Sequence, residues 1–203
     1  MRTLQWTVKR ILEWLAALVL FLLLLPLQLL FALAIRLDSP GPALFFQDRL
    51  GKGGRVFRMW KFRTLRWEPD AAPLLNPDGS TRVDDADTRL TRVGRFLRLG
   101  FDELPQLVNV LRGEMALIGP RPDQPFHREH YEGREEQKLS VLPGITGLPQ
   151  ALGRNQIPWK KRIELDLYYI DHYSLWLDAK IVVWTAWTIL TRRGVHGPAG
   201  IDG

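Results

Sequence analysis

The longest apolar stretch of the chain lies near its N-terminus, where residues 14–35 contain no charged side chain. At ~1.5 Å per residue, a helix of this length can cover a hydrocarbon core of ~30 Å. The stretch is too long for the apolar part of a cleavable signal peptide, and no small-residue cleavage site follows it before Arg36. The pattern therefore predicts a helix that anchors the protein to a membrane.

Two features bear on whether this helix crosses the membrane. Pro26 lies in its middle, where a proline removes a backbone hydrogen bond and bends a helix, and the polar Gln28 follows. Basic residues flank the helix on both sides, so the positive-inside rule gives no direction of crossing. A kinked span and a re-entrant helix that breaks at Pro26 both fit this pattern. The flanking residues are Arg2, Lys9 and Arg10 before the helix and Arg36, Arg49, Lys52, Arg55, Arg58 and Lys61 after it.

Two short segments after the membrane helix have the pattern of a β-hairpin. Residues 43–50 and 56–65 are rich in Phe, Val, Trp and Thr, and a glycine-rich turn at 51–55 separates them. Lys61 and Arg63 are two residues apart in the second segment, so a strand places both on one face, where they can hold an anion. A solvated strand face near lipid head groups is the alternative.

Helical periodicity recurs in four later segments, after a loop at residues 68–87 that is rich in Pro and Asp. Arginines recur at every third position of residues 89–99 with apolar residues between them, which is typical of an amphipathic helix. Residues 104–111 carry leucine or valine at i, i+3, i+4 and i+7, the spacing of one buried helix face. Residues 159–173 and 178–193 complete the set.

Three expectations concern side chains in the C-terminal half. Residues 126–138 are polar and helical in character, and His127 and His130 are expected at the surface because no third ligand accompanies them at a familiar metal spacing. Asp178 is expected to cap the last helix. The tryptophans of that helix suit a membrane interface, and a core helix is the alternative.

An adjacent pair of acids marks the start of the 104–111 helix. Asp102 and Glu103 precede Pro105, and helix starts attract anions through their free N–H groups. Capping preferences alone explain these residue types. However, several arginines and the Pro-Arg-Pro segment at 120–122 lie close in sequence. A carboxylate pair beside arginines suits phosphoryl chemistry, in which one acid attacks phosphorus and the other helps to hold a divalent cation.

Composition limits the partners of such a site. The chain has 203 residues, a net charge of +6 and a sequence pI near 9.9. A basic balance suits nucleic acid, anionic lipid, or the phosphates of nucleotides and lipids. The absence of cysteine excludes disulfides and thiolate chemistry. The length suits one modest domain with an appendage.

Six motifs, taken in order, resemble those of the bacterial sugar transferase family, the monotopic phosphoglycosyl transferases that begin lipid-linked glycan synthesis. The likeness runs from the membrane helix almost to the last residue, and the chain looks like the small form of the family. The motifs are Ser39-Pro40-Gly41-Pro42, Lys61-Phe62-Arg63-Thr64, Asp102-Glu103-Leu104-Pro105-Gln106, Gly119-Pro120-Arg121-Pro122, Pro143-Gly144-Ile145-Thr146-Gly147 and Gly153-Arg154.

The resemblance implies an α+β fold that is mostly helical with a short β-hairpin. Residues 1–38 would form a re-entrant membrane anchor in which Pro26 breaks the helix, and residues 39–203 a small cytoplasmic catalytic domain with interfacial helices. The expected location is the cytoplasmic face of the bacterial inner membrane. A homodimer is left open.

The resemblance also assigns roles to individual residues. Asp102 matches the nucleophile and is the expected Mg²⁺ contact, while Glu103 matches its partner in acid/base assistance or magnesium positioning. The implied reaction transfers a sugar phosphate from a nucleotide sugar, with uridine expected as the base, to a polyprenyl phosphate through a phosphosugar on Asp102. The implied substrate-binding residues are Lys61, Arg63, Arg98, Pro120, Arg121, Pro122 and Arg154.

The rival hypothesis is a membrane-tethered basic module that binds nucleic acid or anionic lipid and has no catalytic activity. In that case Asp102 is a plain helix cap, and binding falls steeply with salt. The enzyme hypothesis expects no nucleic-acid partner.

Overall fold

The computed structural model describes residues 2–68, 87–153 and 157–191. It is a mixed structure in which helices predominate, which confirms the expected α+β class. The strands pair as an antiparallel hairpin and a short parallel pair. The helices are α1 (Arg2–Asp38), α2 (Arg92–Leu97), α3 (Gln106–Leu111), α4 (Leu148–Leu152), α5 (Trp159–Asp171) and α6 (Leu175–Leu190), and the strands are β1 (Leu44–Leu50), β2 (Val56–Phe62), β3 (Ala116–Ile118) and β4 (Gly144–Thr146).

Helix α1 is 37 residues long and continues through Pro26. Helix continues on both sides of Pro26, so the expected break at this proline is not an interruption of the helix, and the re-entrant path stays a prediction. Within the described residues, α1 is the one helix with the length and composition to cross a membrane. Its end at Asp38 coincides with the expected end of the anchor.

Both ends of α1 contact the rest of the protein. Near the N-terminus, the ring of Trp6 stacks on that of Tyr173 with their centroids 3.9 Å apart. In the middle, Ala17 is fully buried in a cluster with residues of β2 and α3. Near the C-terminus, Ile35 packs against Phe62 and Leu97. The helix therefore lies along the body of the protein, and its outward face exposes Leu15, Val19, Leu22, Leu23, Leu29, Leu30, Leu33 and Leu37.

The predicted hairpin is present. Strands β1 and β2 pair antiparallel with Leu44 opposite Phe62 and Leu50 opposite Val56. The turn contains Gly53 at φ 70° and Gly54 at φ 75°, a backbone region that favours glycine. The second strand ends at Phe62, three residues before the predicted end.

The parallel pair of β3 and β4 was not predicted, because each strand has only three residues and shows no readable alternation. The two strands touch closely at Gly119 and Gly144, where a Cβ on Gly144 would collide with the backbone nitrogen of Gly119. The Gly119 N–H donates to the Thr146 carbonyl at 2.9 Å. This pairing holds the chain that leads into the Gly119–Pro122 motif.

Three local predictions are corrected in the C-terminal half. Residues 126–138 form two short 3₁₀ turns, Pro125–His130 and Glu135–Ser140, in place of one helix. His127 is buried, and its Nδ1 accepts from the Gln124 N–H at 3.2 Å. Ser174, which accepts from the Leu177 N–H at 3.1 Å, caps α6, whereas Asp178 is buried one turn later.

Helix α6 faces both the core and the outside. Ile181 and Thr188 are buried, and the Thr188 hydroxyl donates to the Ala151 carbonyl at 2.8 Å. In contrast, the side chains of Trp176 and Trp187 are 69% and 59% exposed. One side of this helix is therefore core and the other presents tryptophan outward, so a membrane interface at the tryptophans stays a prediction.

Candidate active site

The acid pair lies in a short 3₁₀ turn, Phe101–Glu103, directly before α3. Gly100 precedes the turn with φ 128°, a conformation that only glycine adopts readily. Leu107 and Val110 of α3 are buried beside Ala17 of the membrane helix. The anchor therefore helps to fix the helix that carries the acid pair.

Asn109 connects α3 to the hairpin. Its side-chain oxygen accepts from the Trp60 N–H at 3.0 Å, and its amide nitrogen donates to the Arg58 carbonyl at 2.8 Å and to Glu114 at 2.7 Å. Asn109 is completely buried, so these bonds are shielded from water. They hold β2 against α3 and bring Lys61, the neighbour of Trp60, to the acid pair.

Lys61 and Arg121 converge on Glu103. The Lys61 ammonium lies 2.9 Å from Glu103 Oε1, and the Arg121 Nη2 lies 3.1 Å from the same oxygen. These residues are 42 and 18 positions from Glu103 in sequence and come from β2 and from the loop after β3. We call Lys61, Asp102, Glu103 and Arg121 the active-site cluster.

The two carboxyl groups of the active-site cluster differ in pKa. Burial alone raises the pKa of Glu103, but the charges and hydrogen bonds of Lys61 and Arg121 outweigh it and lower that pKa well below its usual value. Burial raises the pKa of Asp102, Lys61 offsets part of this, and the negative Glu103 raises it further. The cluster thus holds Glu103 firmly ionised beside a carboxylate of higher basicity.

Arg49 is a member of this region that sequence reasoning treated only as a flanking basic residue. Its Nη1 donates to the Pro122 carbonyl at 3.1 Å and its Nη2 to Gln47 at 2.6 Å. Burial lowers the pKa of Arg49 to about 10, and the nearby charge of Arg121 adds to this effect. Its bond to the backbone of the Pro-Arg-Pro segment fixes the loop that presents Arg121.

The other residues predicted to contact substrate lie outside the active-site cluster or outside the described residues. Arg63 does not join the cluster, because its guanidinium is buried and donates to Ser39, the Pro42 carbonyl and the Leu65 carbonyl. It follows the end of β2 and secures the turn after α1, and its assignment as an anion contact stays a prediction. Pro120 is buried within the loop. Arg98 lies at the C-terminal cap of α2, and Arg154 falls outside the described residues.

A second ionic cluster lies immediately behind the Pro-Arg-Pro segment. The Lys138 ammonium is 2.6 Å from Asp123 and 3.1 Å from Asp166, and the Tyr131 hydroxyl donates to Asp123 at 2.8 Å. All three ionisable side chains are at least 90% buried. We call Asp123, Tyr131, Lys138 and Asp166 the Lys138 cluster.

The carboxyl groups of the Lys138 cluster also differ in pKa. Burial alone raises the pKa of Asp123, but Lys138 and the hydrogen bond from Tyr131 lower it to about 2. Burial raises the pKa of Asp166 to about 6, and Lys138 offsets only part of that effect. Both clusters therefore contain one strongly ionised acid and one whose pKa is raised.

Comparison with known proteins identifies the family. The model of the bacterial sugar transferase family matches residues 4–192, almost the whole chain. The chain belongs to the bacterial sugar transferase family. This membership confirms the resemblance carried by the six sequence motifs.

Characterised relatives of this sugar transferase are named for undecaprenyl-phosphate chemistry. A UDP-glucose:undecaprenyl-phosphate glucose-1-phosphate transferase of Caulobacter vibrioides is 45% identical over 197 residues, 93% of this chain and 72% of the relative. One of the same name from Xanthomonas campestris is 44% identical over 84% of this chain and 36% of its own length. An Aeromonas hydrophila UDP-N-acetylgalactosamine-undecaprenyl-phosphate N-acetylgalactosaminephosphotransferase is 42% identical over 93% of this chain and 45% of its own length.

The sugar transferase thus spans most of one relative but less than half of the other two. The matched part contains the whole active-site cluster, since the family model covers residues 4–192. The relatives also differ in the sugar that their names give.

A magnesium ion at the acid pair would have to be shared with substrate. In the described ranges, no group of three or more His, Asp or Glu side chains forms a ready metal site. Mg²⁺ is usually held by one or two carboxylates together with substrate phosphates and water. Asp102, whose carboxyl adjoins the cation-bound Glu103, is the residue that would hold it.

Proposed function

We propose that the protein transfers a sugar-1-phosphate from a nucleoside diphosphate sugar to a polyprenyl phosphate through a covalent phosphosugar on Asp102. A carboxylate oxygen of Asp102 attacks the phosphorus that bears the sugar, the bond from this phosphorus to the bridging oxygen of the diphosphate breaks, and the nucleoside monophosphate leaves with that oxygen. A phosphate oxygen of the acceptor then attacks the same phosphorus, the bond to Asp102 breaks, and a polyprenyl diphosphate sugar is released.

The observation that carries this proposal is the division of charge within the acid pair. Glu103 binds both Lys61 and Arg121, while Asp102 beside it has a raised pKa and so is the more basic carboxylate. A more basic carboxylate is a better nucleophile once it is ionised. The two cations lie within reach of a diphosphate approaching Asp102, where they offset its negative charge.

Glu103 would act mainly by holding those cations. Its lowered pKa keeps it ionised at neutral pH, which makes it a poor proton donor. A magnesium ion bound with Asp102 and the donor diphosphate would neutralise charge on the leaving group. Lys61 and Arg121 orient the phosphates on the other side of the pair.

A uridine diphosphate sugar is the proposed donor, and undecaprenyl phosphate is the proposed acceptor. The support is the names of the relatives, which share UDP and undecaprenyl phosphate but include both glucose and N-acetylgalactosamine. The product would be the first lipid-linked intermediate of a bacterial glycan.

The anchor is proposed to be re-entrant, with its two ends on the cytoplasmic side of the inner membrane. Trp6 and Ile35 lie near opposite ends of α1, yet both pack on the same body. A helix that crossed the bilayer would place its two ends on opposite sides of the hydrocarbon core, and a body on one side could not contact both ends. A shallow anchor instead leaves the outward leucines in lipid and the exposed tryptophans of α6 near the interface.

The chemical step can be tested by trapping the first half of the reaction. Purified protein is incubated with a UDP-sugar and Mg²⁺ without acceptor, and intact-mass spectrometry is combined with a UMP assay. We expect one equivalent of UMP and a mass increase equal to one sugar phosphate, located on the peptide that contains Asp102. Adding polyprenyl phosphate should remove the added mass. An unchanged mass in a preparation that turns over with acceptor would refute the covalent route.

The topology has a separate test. The chain contains no cysteine, so Gln5→Cys and Lys52→Cys each create a single labelling site. In oriented membrane vesicles, a re-entrant anchor predicts that a membrane-impermeant maleimide labels both variants from the same side. Labelling from opposite sides would establish a crossing helix.

A further inference from the structure

The N-terminal part of the membrane helix carries two buried charged residues. Lys9 and Glu13 lie one turn apart, and the Lys9 ammonium is 2.6 Å from Glu13 and 2.9 Å from Asp178 of α6. The exposed side-chain fractions are 2%, 11% and 9%. The Asp178 carboxylate also accepts from the Tyr169 hydroxyl at 2.8 Å. We call Lys9, Glu13, Tyr169 and Asp178 the anchor cluster.

Burying such charges is not an obvious route to a stable anchor. Removing an ion pair from water costs several kcal/mol per ion, and an apolar contact of the same size often stabilises as well. Lys9 is one of the basic residues that flank the apolar stretch in the sequence, yet its side chain is buried in the protein and paired with Glu13 and Asp178. The anchor cluster therefore calls for a role beyond attaching the helix.

The second bond of Glu13 indicates that role. Its Oε1 accepts from the backbone N–H of Ile118 at 2.9 Å, in addition to the bond from Lys9. Ile118 is the last residue of β3, which belongs to a two-stranded sheet. The membrane helix thus supplies a hydrogen-bond acceptor to the edge of the strand that leads into the active site.

The segment from Ile118 to Arg121 is short and stiff. The Gly119 N–H donates to the Thr146 carbonyl at 2.9 Å, and the Pro120 carbonyl accepts from the Gly144 N–H at 2.9 Å. Pro120 has a fixed φ and is fully buried. A displacement of the Ile118 backbone should therefore also displace Arg121, because the two residues between them have little conformational freedom.

We infer that Glu13 is a positioning residue for Arg121, so that the seating of the membrane anchor sets the geometry of the active-site cluster. Lys9 and Asp178 hold the Glu13 carboxylate in place, Glu13 holds the end of β3, and β3 places Arg121 on Glu103. The inference rests on the proposed function, since Arg121 is taken to contact the donor phosphates. It makes the anchor a part of the catalytic architecture as well as a tether.

Two substitutions at one position separate the hydrogen bond from the charge. Glu13→Met removes the acceptor, whereas Glu13→Gln keeps a side-chain oxygen for the Ile118 N–H. Glu164→Met is the matched control, because Glu164 pairs with Lys161 on the exposed side of α5. All proteins are compared at full length in the same lipid nanodiscs, for thermal stability, hydrogen exchange of residues 115–121, and kcat and KM for the UDP-sugar.

We expect Glu13→Met to raise exchange in residues 115–121 and to lower kcat/KM by about tenfold or more, because small misplacements of a catalytic group are costly. Glu13→Gln should retain most of the activity, and Glu164→Met should match the wild type. Faster exchange and a lower melting temperature with unchanged kcat and KM would show a structural role only and overturn the inference.

A double-mutant cycle tests whether the effect passes through Arg121. If Glu13 acts by placing the guanidinium, Glu13→Met should cost far less in an Arg121→Lys background than in the wild type. If Glu13→Met lowers kcat/KM by the same factor in the wild type and in the Arg121→Lys background, the inference is overturned. Should Glu13→Met fail to fold, Asp178→Asn is used in the same cycle. A wild type that releases no UMP would count against the proposed function, whereas equal exchange in the Glu13 variants and wild type would count against the coupling.

Discussion

The active-site cluster and the Lys138 cluster have similar charges but different surroundings. In the first, Lys61 and Arg121 both bind Glu103, and the exposed fractions of the paired side chains range from 15% to 33%. In the second, Lys138 lies against both Asp123 and Asp166, and no paired side chain is more than 10% exposed. Each contains a carboxyl group whose pKa is lowered and one whose pKa is raised.

This difference teaches that a perturbed pKa does not identify a reacting group. Structural ion pairs shift pKa values as strongly as catalytic sites do. Asp102 differs from Asp166 in that its side chain is partly exposed and a substrate can reach it. Two cations, Lys61 and Arg121, are also bound to the neighbouring Glu103. The Lys138 cluster has no comparable opening among its paired side chains, and its position behind Arg121 suits support of the loop. Substitutions in the two clusters should therefore affect different quantities.

The largest effect is expected from Asp102→Asn. The amide cannot attack phosphorus, so the rate of UMP release should fall by at least about 10³-fold, as is typical when a nucleophile is removed. The melting temperature should change little, because the amide has nearly the same volume as the partly exposed carboxyl group that it replaces. A variant that retains turnover within tenfold of wild type, after exclusion of contaminating activity, would show that another residue is the nucleophile.

Lys138→Met should mainly reduce stability. The substitution leaves the buried carboxylate of Asp123 without its ammonium partner, and breaking a buried pair in this way costs about 3–5 kcal/mol. Thermal unfolding in detergent, followed by circular dichroism, should show a clear fall in the melting temperature. Equal melting temperatures for the variant and wild type would mean that the cluster is more hydrated than its burial indicates.

Lys61→Met should mainly reduce the catalytic rate and change stability little, the reverse of Lys138→Met. Arg121 still binds Glu103 in this variant, so the unfolding free energy should fall by less than about 1 kcal/mol. The loss of a phosphate-facing charge should lower kcat/KM for the donor by roughly ten- to a hundredfold. Steady-state kinetics at several UDP-sugar concentrations, beside a melting curve, give both quantities. A large loss of stability with normal kinetics would reverse the assignments of the two clusters.

The smallest effect is a pH dependence of stability carried by Asp166. Burial raises its pKa from the ordinary value of 3.8 to about 6 in the folded protein. Between these values the folded state binds the proton more tightly, so this contribution to stability is complete below 3.8 and is lost as the pH rises through 6. Asp166→Asn should remove that decline.

Asp123 gives the opposite sign within the same cluster. Its pKa is lowered to about 2, so its contribution is present above 3.8 and is lost as the pH falls through 2. The difference between the melting temperatures of wild type and Asp166→Asn, measured from pH 4 to 8, reports the contribution of Asp166 to stability, because Asp123 stays ionised throughout that range. A constant difference across that range would contradict the raised pKa of Asp166.

Sequence reasoning predicted the elements whose causes are local. The hairpin followed from two segments rich in Phe, Val, Trp and Thr around a glycine-rich turn, and the apolar face of residues 104–111 predicted α3 to within two residues at its start. The acid pair was found because it stands at a helix start. The convergence of Lys61 and Arg121 on Glu103 was not predicted, since no local pattern connects β2 with the loop after β3, and both residues were expected only as substrate contacts.

The errors have physical causes of their own. Arg63 was grouped with Lys61 by strand alternation, but the strand ends at Phe62 and Arg63 turns to the carbonyls after α1. Lys9 was interpreted as a flanking basic residue and Asp178 as a cap because each is a partner of the other at a distance of 169 positions in sequence. A single amino-acid sequence does not show that two charged residues distant in it are buried together as an ion pair.

The outward row of leucines on α1 has a kinetic consequence. The proposed anchor places these side chains in lipid, so the proposed enzyme cannot leave one membrane for another without exposing them to water. Its encounter with a lipid acceptor is then a search in two dimensions. The turnover rate should follow the mole fraction of acceptor in the bilayer, and diluting the acceptor with inert lipid should slow the enzyme even when its bulk concentration is constant.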